Sequence, residues 1–296
     1  VSVSNTILSE ILLSPEEWKE QRANHEARAD ALVKARQLRA ARGEQDPIED
    51  FLYTYYPFRL SALRRWTPGV GFACRGGDEL LTDAHFQKDP DGLVRVIPMN
   101  DGDVRRVTFI RDLCLAVTTR PPFFRCYGLH EWAMVYQQAD QRRHSQWPLR
   151  LGAQGTDEVV RSMPVCCTHY DAFRFFTPSA KPLNHSEPDL AGRIKNEQPG
   201  CVHVTMDLYK WTMKSLPWVS SDLATESYRL AHEARSIDMR ASPYDFSAVG
   251  LEPICIETEA GRAQYESAQR HLAKLAEPIR KRLIDILNRA LSVNSR

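Results

Sequence analysis

Four short segments of this chain set histidines and acids among apolar and aromatic neighbours, where ionisable groups are rarely tolerated without partners. They are CYGLHEWAMVY with His130 and Glu131, CCTHYDAFRFFTP with His169 and Asp171, GCVHVTMDLYKW with His203 and Asp207, and SIDMRASPYD with Asp238, Arg240, Tyr244 and Asp245. A carboxylate beside a histidine can raise its pKa, fix its tautomer or share a metal ion with it. An extended strand would project His169 and Asp171 from one face, and a helix would set His203 and Asp207 one turn apart. His130 and Glu131 are adjacent and point apart in regular structure. For any single pair the alternative is a satisfied polar group in a core; several together point to a site.

Three chemistries fit these residue types. The first is a metal centre of iron, manganese or zinc, with ligands drawn from His130, Glu131, His169, Asp171, His203, Asp207 and Asp238. No HExxH occurs, and no Glu-x-x-His pair recurs at the spacing of carboxylate-bridged di-iron bundles. The second is a cysteine nucleophile, since Cys166 and Cys167 precede His169 closely and Cys201 precedes His203; free cysteine is more often a small core residue. The third is recognition of a planar cation, with rings from Tyr170, Phe173, Phe175, Phe176, Tyr209 and Trp211 and acids from Asp171 and Asp207. A flipped alkylated nucleobase or a small quaternary amine has that character. GxSxG and the phosphate-binding glycine loops are absent, which removes support for a serine hydrolase or a P-loop NTPase.

The elements that must position these residues read as mainly α with a minor β element, an α+β single domain over 1–296. Ser14, Pro15 and Glu17 form a capping-box pattern that opens an N-terminal helix over 14–43, with Gly43 as its stop. Its basic end, Lys34, Arg36, Arg39 and Arg42, suits a helix C-terminus. DPIEDFLYTYYPFRLSALRRW predicts two short helices broken at Pro57, with Tyr53, Tyr55, Tyr56 and Phe58 as a core rim or a base-stacking group beside arginines. Residues 67–100 read as a small β-rich segment with a DPDG turn. DVRRVTFIRDLCLAVTTRPP predicts a helix ended by its prolines. FFRCYGLHEWAMVYQ fits either a loop leading into a helix or a buried strand. The polar stretch 184–200 reads as a flexible loop or lid. SSDLATESYRLAHEARSIDM predicts a capped helix, and 258–294 a C-terminal helix with a kink at Pro278.

Composition sets the outer bounds. The 296 residues are 43% hydrophobic and 26% charged with a net charge of +1, ordinary for a globular protein that binds its own core. No run reaches the roughly 18 apolar residues of a membrane span. The start, VSVSNTILSEILLSPEEW, lacks a basic region and a cleavage site, and seven cysteines without zinc-type spacing fit a reducing cytoplasm.

GLHEWAMVY, THYDAFRFFTP, QPGCVHVTMDLYKW and DMRASPYD resemble a family of bacterial proteins commonly described as 3-methyladenine DNA glycosylase, and the resemblance runs from EEW near the start to the C-terminal helix. It implies an N-glycosylase-like hydrolase, without a cofactor, acting on an alkylated purine in DNA or on a related nucleobase. In that reading Asp171 or Asp207 orients water and stabilises oxocarbenium charge, and His169 or His203 sets the carboxylate's protonation. Tyr170, Phe173, Phe175 and Tyr209 stack on the base, while Arg174 and Arg240 meet phosphate or sugar. No helix-hairpin-helix signature is found; in TPGVGFACRGG a strand-like FAC follows where a helix would start. The competing expectations are a metal-dependent enzyme, with non-haem iron, acting on a small metabolite, and a non-enzymatic binder of a cationic aromatic ligand.

Overall fold

A computed structural model describes residues 10–44, 46, 48–56 and 58–294. The targeting reading of residues 1–9 and the break expected at Pro57 lie outside the described residues. Strand β1 (Ile11–Leu13) leads into helix α1 (Pro15–Ala41), whose capping box closes through Glu17 N–H on Ser14 Oγ at 3.3 Å and Ser14 N–H on Glu17 Oε2 at 2.8 Å. Two short helices follow, α2 (Glu49–Tyr55) and α3 (Leu60–Arg64).

The segment 67–100 holds strands β2 (Phe72–Cys74), β3 (Phe86–Lys88) and β4 (Val94–Val96). The DPDG turn joins β3 to antiparallel β4, with Gly92 at φ 80° where a side chain would strain the backbone. Sheet order is β1-β2-β4-β3, and β1 pairs parallel with β2, Ile11 opposite Phe72. The sequence marked β1 only as an apolar patch, because a three-residue strand has no periodicity of its own. Trp18 of α1 packs under this sheet with Trp66 and Phe86, and its indole N–H donates to the Arg75 carbonyl at 3.0 Å.

The rest is helical: α4 (Asp101–Thr118), α5 (Leu129–Ala133), α6 (Gly152–Ser162), α7 (Tyr170–Phe173), α8 (Arg193–Asn196), α9 (Val202–Lys214), α10 (Ser221–Arg240) and α11 (Glu259–Asn294). The chain is thus a single mainly α domain with a small mixed sheet. Helix α9 is buried almost all round, His203, Thr205, Asp207 and Thr212 included, and packs against α10 and α11. One core joins Leu52 and Tyr56 to Ile110, Met206, Leu230 and Leu283. A second gathers Leu129, Trp132, Val160, Phe173 and Tyr265. HEWA therefore belongs to a short helix reached through a loop, and α11 continues through Pro278.

The 184–200 stretch is less of a lid than its polarity suggests. Asn184, Arg193, Glu197 and Gln198 are buried, and α8 lies within it. Gln198 holds the Phe123 backbone through both its amide oxygen (2.8 Å) and nitrogen (3.2 Å). These four side chains face inward to partners that the local sequence does not reveal, while His185, Ser186, Glu187, Asp189 and Lys195 are exposed. Among the described residues, no helix is long and apolar enough to cross a membrane.

Candidate metal centre

The four segments meet. Helix α5 carries His130 and Glu131, the start of α7 carries His169 and Asp171, α9 carries His203 and Asp207, and α10 carries Asp238. The rings of His130, His203 and His169 form a row, His130 edge-on to His203 at 4.5 Å between centroids and His169 stacked on His203 at 5.2 Å. Acids close both ends, and the row lies inside the protein.

Entry to α5 is strained. Tyr127 and Gly128 both have positive φ, 48° and 75°, and a Cβ on Gly128 would lie 3.2 Å from that of Ala241. Gly128→Ala should cost about 1–2 kcal/mol from the left-handed backbone and the tight contact. Urea unfolding measures it; an unchanged midpoint would mean that α5 can shift freely.

At one end of the row, His130 Nε2 stands 2.8 Å from Asp238 Oδ1, yet neither atom makes a hydrogen bond of acceptable angle. At that distance the two form a close ion pair. His203 lies beside them and makes no hydrogen bond among the described residues. Its ligand atom, His130 Nε2 and the Asp238 oxygen all lie within 4.8 Å of one another. Burial pulls His130 down, but the charge and close contact of Asp238, with the Cys126 thiol, together outweigh it and raise the pKa well above the ordinary range. Burial likewise pushes Asp238 up, and the charge and close contact of His130, with His203 and Arg235, together reverse it, so its pKa is lowered. Burial, then the His130 charge, drives His203 well below its usual value and keeps its ring neutral. The other Asp238 oxygen accepts from Arg235 Nη1 at 2.8 Å, and the same nitrogen donates to Glu131 Oε1 at 2.8 Å. Glu131, expected among the ligands, is thereby held by Arg235.

The other end is arranged differently. Asp207, fully buried, accepts from Tyr56 Oη at 2.7 Å and from Lys210, and lies 3.2 Å from His169 Nε2. Burial pushes its carboxyl up, but Lys210 and His169 draw it well below the usual range. Asp171 is bound by Arg193 and by Lys210 at 3.2 Å. His169, Asp171 and Asp207 are close enough to hold a cation. The Lys210 ammonium already bridges the two acids, so an ion held by this trio, expected as metal ligands, would compete with it. Asp207 is fully buried and does not line the cavity, whereas Asp171 does. The strand geometry expected for His169 and Asp171 is not found, because Tyr170–Phe173 is helical and His169 precedes it as cap. The helix expected for His203 and Asp207 is present, yet the two serve opposite ends of the row.

Glu197 lies behind His169, with its carboxylate 3.6 Å from Nε2 and no hydrogen bond to either oxygen. Burial pushes its pKa up, opposed by His169, Arg193 and Lys210. An acid whose folded pKa exceeds its unfolded value contributes most stability below the unfolded pKa, and that contribution is lost as pH rises toward the folded one. Glu197→Gln should therefore raise Tm at neutral pH relative to the parent, with the difference shrinking near pH 4. A variant less stable at pH 7 would show that the Glu197 charge is needed where it stands.

A cavity of about 350 Å³ reaches the row from outside, lined by His203, Glu131, Asp171, Arg235, Phe175 and Tyr244 among others. It shares Phe51, Tyr55, Arg143, His144, Phe175 and Arg235 with an outer vestibule of about 490 Å³. The guanidiniums of Arg143 and Arg174 sit 5.1 and 4.4 Å from the Phe175 ring centroid. Tyr55 Oη, buried and without a hydrogen-bond partner, belongs to the same wall.

Among the expected substrate-binding residues, Phe175 and Arg174 line the cavity or its vestibule. Tyr170 is half-buried with the Arg193 guanidinium 5.9 Å from its ring. Phe173 is packed into the second core against Phe176. Tyr209 is buried among Tyr56, Phe58 and Tyr228, because its side of α9 faces the main core. Arg240 is drawn outward to the Glu252 carbonyl at 2.7 Å. All seven cysteines are free; burial raises the thiol pKa of Cys166, Cys167 and Cys201, which keeps them poor nucleophiles. Phe51, Arg143, His144, Arg193, Glu197, Lys210 and Arg235 escaped the sequence reading. Two left a signal there: Lys210 follows Asp207, and Arg235 precedes Asp238, by three positions on apolar helix faces.

The fold and the row define a helical domain with a buried histidine–carboxylate centre opening on an aromatic cavity. No family model, curated protein or solved structure matches the chain.

Proposed function

We propose that this chain is a metal-dependent enzyme acting on a small molecule, with non-haem iron held by His130, His203 and Asp238. One observation carries the reading: ligand atoms of His130, His203 and Asp238 lie within 4.8 Å of one another, His203 is free of hydrogen bonds among the described residues and lines the cavity, and an ion would take the place of the proton between His130 and Asp238. Two histidines and one carboxylate are a common ligand set of iron(II) that leaves coordination positions open for substrate or oxygen. The outer partner such a site needs is present, since Arg235 orients the second Asp238 oxygen. A cavity of about 350 Å³ suits a small metabolite. Phe175, Tyr55 and Tyr244 favour one with a planar or aromatic part.

Elemental analysis of protein purified without chelators tests this directly, with about one iron, manganese or zinc ion per chain expected. A metal-free protein from metal-supplied medium would end the reading.

The second reading is the N-glycosylase-like hydrolase on an alkylated purine. It is favoured by Asp171, Phe175 and Tyr55 sharing one cavity, with Arg143 and Arg174 at its mouth. It predicts metal-independent release of alkylated purine from DNA with a steep salt dependence. Release insensitive to salt would redirect it to a free nucleobase derivative.

A further inference from the structure

A second cavity, about 660 Å³, lies between the end of α4 and the middle of α11 and shares no lining residue with the one at the histidine row. Arg120, Arg270, Lys274 and Arg280 line it, against the single carboxylate of Glu277. Two of these cations are engaged elsewhere. Arg120 donates to the carbonyls of Glu197, at 2.7 Å, and Ile194, while Arg270 pairs with Glu266 and covers the Phe124 ring.

Arg280 is the anomaly. It is 3% exposed, its Nη2 has no hydrogen-bond partner, and no carboxylate pairs with it among the described residues. Burial lowers the guanidinium pKa, as expected for a cation withdrawn from water without a contacting counter-charge. A buried arginine fork of this kind is costly unless something fills it. Lys274, exposed at the rim and free of ion pairs among the described residues, adds a second available charge. Pro122, Phe124 and Pro199 give the same cavity an apolar wall.

We propose that this cavity binds a small oxyanion-bearing molecule, of phosphate or carboxylate type, through Arg280 and Lys274, with its apolar part against Phe124 and the prolines. Guanidinium matches both anions with paired N–H donors, and the depth of Arg280 makes each such bond stronger than at a surface. The site is independent of the metal centre. It adjoins the backbone of the segment that carries Arg193 and Glu197, through the two carbonyls that Arg120 holds.

Isothermal titration calorimetry of the full chain with inorganic phosphate, pyrophosphate and citrate, at constant ionic strength, tests the proposal. Saturable binding at about one site per chain is expected, weakened about tenfold or more in Arg280→Met and less in Arg280→Lys. Pyrophosphate binding above citrate assigns a phosphate ligand, and the reverse a carboxylate. Without added anion Arg280→Met should melt no lower than the parent, since the replaced charge has no partner to lose. Lys274→Gln, at an exposed position, serves should Arg280→Met not fold, and should weaken binding a fewfold. Absence of saturable binding by all three anions, or affinity unchanged in both Arg280→Met and Lys274→Gln, would overturn it.

Discussion

On the proposed metal-enzyme reading, His203→Leu should leave a folded protein without bound metal and without turnover. His203 makes no hydrogen bond among the described residues, and its ring is held neutral by burial and by His130. An apolar side chain of similar bulk can therefore replace it with little loss of stability. What leucine cannot supply is a lone pair. Metal affinity should fall by more than about 100-fold, beyond the typical loss from changing an outer partner of a ligand. Elemental analysis and a thermal melt on the same preparation check both halves. Metal content unchanged in His203→Leu would place the ion elsewhere. A Tm fall without metal loss would reduce the histidine row to a structural element.

Arg235→Met should be the most destabilising single change at the site. Arg235 is 1% exposed, and its Nη1 is shared between Glu131 and Asp238, each at 2.8 Å, with the guanidinium 3.6 Å from the Phe51 ring centroid. Methionine fills part of the volume but leaves the buried Glu131 carboxylate without its cation and Asp238 with His130 alone. Breaking a buried pair from one side costs about 3–5 kcal/mol. At roughly 2–4 °C per kcal/mol for a chain near this size, Tm should fall by about 10 °C. Arg235→Lys should recover only part of it, because an ammonium can bridge the two carboxylates but lacks the planar guanidinium that stacks on the Phe51 ring. Adding Glu131→Gln to Arg235→Met should restore some stability by removing one stranded charge. A double variant no more stable than Arg235→Met would show that the loss comes from packing on Phe51.

The predicted effects of Glu197→Gln and Arg235→Met have opposite signs for one reason. Both side chains are almost completely buried and ionisable. Arg235 has two partners in hydrogen-bond contact, whereas Glu197 has counter-charges only at 3.6 and 3.7 Å and no hydrogen bond. Burial penalises each charge, and only contact offsets it.

Local chemistry alone determined much of this protein. The capping box at Ser14, the DPDG turn, the capped helix α10 and the long C-terminal helix follow from spacing within a few residues, and each is where that spacing puts it. The identities of the ionisable residues in the four segments were equally plain, since an acid or imidazole inside an apolar run stands out in any fold. Partnership was decided by tertiary structure. Glu131 and Arg235 are 104 positions apart, and His169 and Asp207 are 38 apart. No local pattern could state that Lys210 would bridge one acidic pair while His130 paired with Asp238 beside His203. Tyr209 shows the same limit: a ring beside an acid reads as a site, and the rotation of α9 turned it into core. Periodicity fixes which residues share a face; only the packing of helices fixes what that face meets.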